Sequence, residues 1–215
     1  MASDVVTSLA IALLGVLLVP LFMATWRSSL LGLACQGLLM AWLAHRLGAT
    51  PRTLHGLVRL TDLAVVRGLI APWALYRVLR SQNRPARNDV IPPNLLSWTL
   101  AFGVILMAFN FAPALAPEPG EERTLLAVAT SALLLGFLVL ASQAGTFSQI
   151  VGALRIENAT ALFELGDVPD NVPIGIEVGQ SVVVLGTIFL YRWYLAHLET
   201  GTAADALAPT EGPTI

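Results

Sequence analysis

The residues best suited to chemistry stand in an apolar setting. Arg155-Ile156-Glu157-Asn158 interrupts a hydrophobic block running from Ser148 to Leu165. At helical spacing Glu157, Thr160 and Glu164 share one face, whereas Arg155 points roughly the opposite way. Desolvation at such a depth disfavours the charged form of a carboxyl, which suits Glu157 to reversible protonation. Two roles are open to it: a carboxylate that relays protons, or a structural one that pairs an arginine on a neighbouring helix. Arg155 and Asn158 are the adjacent groups that would tune it. Glu164 reads as a solvated charge at the helix end.

A second carboxylate, Glu177, is followed by Gln180 and Ser181 at i+3 and i+4. Pro173 at the helix entrance sets Glu177 about one turn deep. It is either an accessible point of proton entry or an interfacial charge. Gly175, Gly179 and Gly186 form a seam on another face, which predicts one closely approaching neighbour. Upstream, Arg67 is followed by Gly68-Leu69-Ile70-Ala71-Pro72. Proline cannot donate to the carbonyl of Gly68, so a bend is expected just past the cation. Backbone freed at membrane depth survives only where protein or water satisfies it again. Arg67 is thus expected to be a fixed counter-ion in a hydrated or ion-paired pocket, the alternative being an arginine that snorkels. Arg59 and Asp62, at i and i+3, are expected to neutralise each other. Cys35-Gln36 is expected to supply packing and one interhelical hydrogen bond, and Asn110 similar adhesion. Trp26, Trp73, Trp98 and Trp193 read as membrane-interface anchors.

Long apolar blocks must position these side chains. Of 215 residues, 56% are hydrophobic and only 12% charged, whereas a soluble domain carries roughly 25% charged residues. Seven blocks approach the ~20 residues that cross a hydrocarbon core: Val5–Trp26, Leu30–Leu47, Leu54–Leu79, Leu95–Leu115, Thr124–Gln143, Ser148–Leu165 and Val172–Leu195. Prolines at 51, 92, 93, 117, 119 and 169 punctuate the loops. The expected architecture is an all-α integral membrane bundle of about seven transmembrane helices. Residues 1–198 form its single domain, and 199–215 a polar cytoplasmic tail that is disordered or orders against a partner. Met1 to Asp4 lacks the basic region of a cleaved signal peptide, so the first block reads as a permanent helix. Arg27, Arg77, Arg80, Arg84, Arg87 and Arg192 gather on one side. Arg46, Arg52 and Arg123 lie on the other with Glu118, Glu121, Glu122, Glu164, Asp167 and Asp170. The positive-inside rule then sets the N-terminus outside and the C-terminus in the cytoplasm.

All twelve basic residues are arginine, which excludes chemistry that needs a Schiff-base lysine, including a retinal-binding seven-helix protein. The single Cys35 excludes an intramolecular disulfide and any multi-cysteine zinc or iron–sulfur site. His45, His55 and His197 lack ligand spacing. No cofactor or metal is expected on this chain, and any redox centre belongs to a partner.

Several of these pieces together resemble one family. Ala34-Cys35-Gln36 resembles the start of the second helix in component E of hydrogenase-4. Arg67 to Pro72 resembles that family's third-helix pattern of a membrane lysine, an apolar run and proline. Gln149-Ile150-Val151-Gly152 leading to Glu157-Asn158 resembles its most recognisable motif. Pro173-Ile174-Gly175-Ile176 and the Gly201 to Gly212 tail resemble its last helix and polar end. The last three blocks are also similar to the three-helix K-type subunit of respiratory complex I. The resemblance implies a non-catalytic bacterial inner-membrane subunit of a group 4 nickel–iron hydrogenase, formate hydrogenlyase or complex-I-like assembly. Its partners would be antiporter-like membrane subunits and a cytoplasmic redox module. Glu157 and Glu177 would be the proton-transfer candidates, with Arg67, Arg155 and Asn158 as counter-ion and tuning groups. The chain departs from the pattern at Arg67, where the family has lysine. It departs again at Pro173 and Gly179, where the family has acids. The alternative of another class is a stand-alone small membrane transporter or channel.

Overall fold

The computed structural model describes residues 2–22, 25–81, 88–89, 95–166 and 173–207. Helices α1 (Ala2–Phe22) and α2 (Trp26–Arg46) form an antiparallel start. A continuous rod follows, made of α3 (Leu54–Thr61), a π-helical segment (Asp62–Ile70) and α4 (Ala71–Ser81). Then come α5 (Leu95–Leu115), α6 (Glu121–Ser142), α7 (Thr146–Gly166) and α8 (Ile174–Leu207). A two-residue bridge, β1 (Asn88–Asp89) with β2 (Gln143–Ala144), ties the segment after the rod to the entrance of α7. The expected loop charges Arg84, Arg87, Asp167 and Asp170 lie outside the described residues.

Helix ends follow local chemistry. Thr25 caps α2 by accepting from the Ser28 N–H, and Thr53 caps α3 by accepting from the Gly56 N–H at 3.1 Å. Gly48 and Gly145 take φ of +112° and +117°, turning the chain out of α2 and into α7. The element boundaries fall within about four residues of the seven expected blocks, with one exception. The last helix runs on to Leu207, twelve residues past its expected end, so the tail is helical where it is described. Ala- and Leu-containing sequence continues a helix at little cost, and residues 208–215 of the expected tail lie outside the described residues.

The chain is an all-helical, multi-pass membrane protein. Among the described residues, four helical stretches are long and apolar enough to cross a bilayer, Trp26–Arg46, Leu95–Leu115, Glu121–Ser142 and Ile174–Leu195, with a shorter apolar run at Val5–Val19. The rod is divided into segments of 8, 9 and 11 residues, and α7 carries Arg155, Glu157 and Glu164 along its length. Large apolar side chains face outward on every side, among them Ile11, Leu31, Phe111, Phe137 and Phe189. A surface of this kind belongs in lipid.

Inside, the apolar core divides in two. One cluster joins α1, α5 and α6 to Met40, Leu43, Leu63, Ala159 and Leu162. The other joins Leu30, Leu33, Val66, Leu75, Val151, Leu154, Val184 and Ile188. Along α2, the rod and α7, polar residues stand where one cluster gives way to the other. Gln36 is ten residues from each end of α2, Arg67 sits at the middle of the rod, and Glu157 is one residue past the middle of α7.

Close crossings hold this layer together. A Cβ on Gly37 would lie 2.6 Å from the Cα and N of Gly68, so α2 meets the π segment backbone to backbone. On the α6–α7 interface, Gly136 faces Ile156 and Gly152 faces Leu140 in antiparallel register. The seam at Gly175, Gly179 and Gly186 has no close neighbour within this chain, for nothing among the described residues comes within 4 Å of a Cβ there. Trp26 also departs from its expected place. It is buried against the edge of Phe147, with ring centroids 4.8 Å apart, and is a core residue. Trp73 and Trp193 do remain half-exposed, covered by Arg77 and His197.

Candidate functional site

The site is assembled by the winding of the rod. In an α-helix residues i and i+5 diverge by about 140°, whereas an i→i+5 helix stacks them. Here the Ala71 N–H bonds to the Val66 carbonyl five residues back, and Pro72, without an N–H, marks the return to α register. The expected bend at Pro72 is realised as this widened turn. Its effect is to put Asp62 and Arg67 on one face, where Arg67 Nε donates to Asp62 Oδ2 at 2.7 Å. The expected Arg59–Asp62 pair is thus replaced by Asp62–Arg67, and Arg59 is a half-buried residue on the groove wall.

Arg67 is 6% exposed and does more than neutralise Asp62. Its Nη1 donates to the backbone carbonyl of Glu157 and to Asn158 Oδ1, both at 3.2 Å. Arg67 is therefore internal, as expected. Its carboxylate partner is Asp62, however, and it meets Glu157 through the main chain. Asn158, 4% exposed, is the hinge between the two helices. Glu157 is half-buried on the side of α7 that looks toward the rod and α8. Thr160, expected beside it, is exposed and bonds back to Ile156. The α7 positions that line the groove are instead Ala161, Glu164 and Leu165, one to two turns beyond Glu157.

Arg155 takes the opposite side of α7, as the two-residue spacing requires. It is 1% exposed, and its guanidinium donates to the carbonyls of Ser29 at 3.3 Å and Leu17 at 3.5 Å. It lies over Gly32, where a Cβ would come within 3.1 Å of Nη2. Arg155 is a clamp joining α7 to α1 and α2. Gln36 shares the α2 face of Gly32 one turn away and is wholly buried. Neither its Oε1 nor its Nε2 has a hydrogen-bond partner among the described residues, so the expected interhelical bond is not made there. Asn110 likewise bonds within its own helix, to Leu106.

Glu177 and Glu164 stand toward one membrane face of the same groove. Glu177 is brought to His55 of α3, with Nδ1–Oε2 at 3.1 Å, and Gln180 Nε2 donates to Glu164 Oε1 at 2.9 Å. Glu164, expected to be simply solvated, is thus a partly buried wall of the groove. Sequence reasoning missed His55 and Gln180 as neighbours of the acids, because each contact joins elements far apart in the chain. No cluster of three His, Cys, Asp or Glu side chains suited to a metal occurs among the described residues.

A lipid-embedded helical bundle with an ionic, hydrogen-bonded layer at its midpoint is the class of protein defined here. The chain is similar to an uncharacterised protein of Mycobacterium tuberculosis, 29% identical over 166 residues, which cover 70% of this chain and 74% of that protein. No protein-family model matches the chain, and no solved structure does.

Proposed function

We propose that the chain is a non-catalytic, seven-span subunit of a bacterial inner-membrane complex that couples redox chemistry to ion translocation. The complex is of the group 4 hydrogenase or complex-I type, and the subunit has its N-terminus outside. Its mid-bundle layer of Asp62, Arg67, Asn158 and Glu157 shapes the field for proton transfer, with Glu157 and Glu177 as the protonatable groups. The supporting observation is the Arg67 fork, which binds Asp62 on the rod and both Glu157 and Asn158 on α7. Charge at that depth costs at least ~2.5 kcal/mol on insertion scales, so intramembrane ionic groups are retained mainly for function.

A subunit reading is favoured over a stand-alone transporter by α8. Only 11% of its apolar span is buried, and its glycine seam lies open. Antiporter-like membrane subunits would cover it, and a cytoplasmic redox module would dock on the arginine-rich face.

Glu157→Gln tests the reading in the intact complex, since it preserves shape and hydrogen bonding but removes titration. Normal yield of assembled complex with proton translocation reduced tenfold or more is expected, on the order of ~1.4 kcal/mol in a barrier. Normal yield with undiminished translocation removes Glu157 from the mechanism.

A further inference from the structure

We propose that the groove between α7, the rod and α8 is a one-sided aqueous entry, leading water and the protons it carries from the His55 membrane face to the Asp62–Arg67 pair. Its use in proton transfer rests on the reading above; its hydration does not.

The first argument is the cavity. A volume of ≈ 30 Å³ lies among Asp62, Arg67, Glu164, Glu177, Gln180 and Ser181. One water needs roughly 10–15 Å³ on the same measure, so two or three fit. Here α7 and α8 scarcely touch, which leaves the groove open along its length.

The second argument is an orphaned acceptor. Arg67 takes Asp62 Oδ2, while Oδ1 is buried with no hydrogen-bond partner among the described residues. A buried acceptor left bare costs about 1–3 kcal/mol, and nearly all such groups are satisfied by protein or ordered water. Asp62 lines the cavity, so a water there supplies the missing donor.

The third is polarity along the walls. On α8 the inward positions run Glu177, Gln180 and Ser181, then change to Val184 and Ile188, which are buried in apolar packing with Val66, Leu75 and Leu154. The groove is therefore wet at one end and dry beyond Arg67. The carboxylates of Asp62, Glu164 and Glu177 outnumber the guanidiniums of Arg59 and Arg67, which favours cations over anions.

The test uses the full chain in native membrane vesicles with its one cysteine removed by Cys35→Ser. Single cysteines replace Ser181, Ala161, Gln180, Val183 or Val184. The probe is the silver ion, which is water-sized and cationic, and the readout is loss of later maleimide labelling after denaturation. Ser181→Cys, Ala161→Cys and Gln180→Cys should react at least tenfold faster from the His55 side than from the other. Val183→Cys, at similar depth but 64% exposed on the lipid-facing surface, and Val184→Cys beneath the polar walls should stay protected. Equal rates at Ser181, Ala161 and Val183, or equal rates from both sides, would overturn the entry. Sided labelling with undiminished pumping in Glu157→Gln upholds the entry and removes the relay. Lost pumping without labelling upholds the relay and removes the entry.

Discussion

Gly37→Ala adds a single methyl group where α2 crosses the π segment. The new Cβ would lie 2.6 Å from the Cα and N of Gly68 and 2.9 Å from the carbonyl carbon of Arg67. Ordinary contact begins at 3.4 Å, so the two backbones must part by about 0.8 Å. Every clashing atom is main chain, and no rotamer change can relieve it. Overpacking of this kind costs about 1–3 kcal/mol, or roughly 5- to 150-fold in the folded population. The strain falls on the residue that carries the Arg67 fork, whose two 3.2 Å bonds leave little room before they cease to be hydrogen bonds. Reversible unfolding in mixed detergent micelles measures the loss, with Gly179→Ala as control because its Cβ meets nothing within 4 Å. Gly37→Ala should be less stable than the parent by at least about 1 kcal/mol, and Gly179→Ala at least as stable as the parent. Equal stability of the two variants would refute the close crossing and the placement of Arg67 that depends on it.

The same unfolding assay checks four further expectations. Gly136→Ala should cost less than Gly37→Ala, because its nearest obstacle at 2.9 Å is the movable Cγ1 of Ile156; a larger loss would contradict the α6–α7 packing. Asp62→Asn should destabilise by about 3 kcal/mol, the lower end for breaking a buried ion pair, since Arg67 keeps its bonds to α7. A loss within 0.5 kcal/mol would mean that the pair does not form. Gln36→Met exchanges a buried amide without a protein partner for an apolar chain of similar size, and should leave stability unchanged or raise it. A loss above about 1 kcal/mol would show that the amide is bonded after all. His55→Ala removes a hydrogen-bond partner of Glu177 whose side chain is 52% exposed, and should change stability by less than about 0.5 kcal/mol.

The sequence by itself determined what depends on solvent and on local period. Long apolar blocks with few charges have no stable home in water, and their lengths place the helix boundaries to within about four residues, the end of α8 excepted. The burial of Arg67 followed from the cost of charge in lipid, and the opposed directions of Arg155 and Glu157 followed from helical geometry. Tertiary structure decided the partners. Asp62 lies nearer Arg59 in an ideal α-helix, yet the π winding before Pro72 turns it to Arg67. That winding was not legible in the residues between, because no side chain there demands an i→i+5 register. The glycines show the same division. Gly175, Gly179 and Gly186 carry the regular spacing of a packing seam but face open space among the described residues, whereas Gly37 and Gly68, with no repeat to announce them, make a backbone-to-backbone crossing between helices. His55 meets Glu177 across 122 residues of chain. Periodicity fixes which face of a helix a side chain occupies, but which helix stands opposite is settled only when all the faces pack at once.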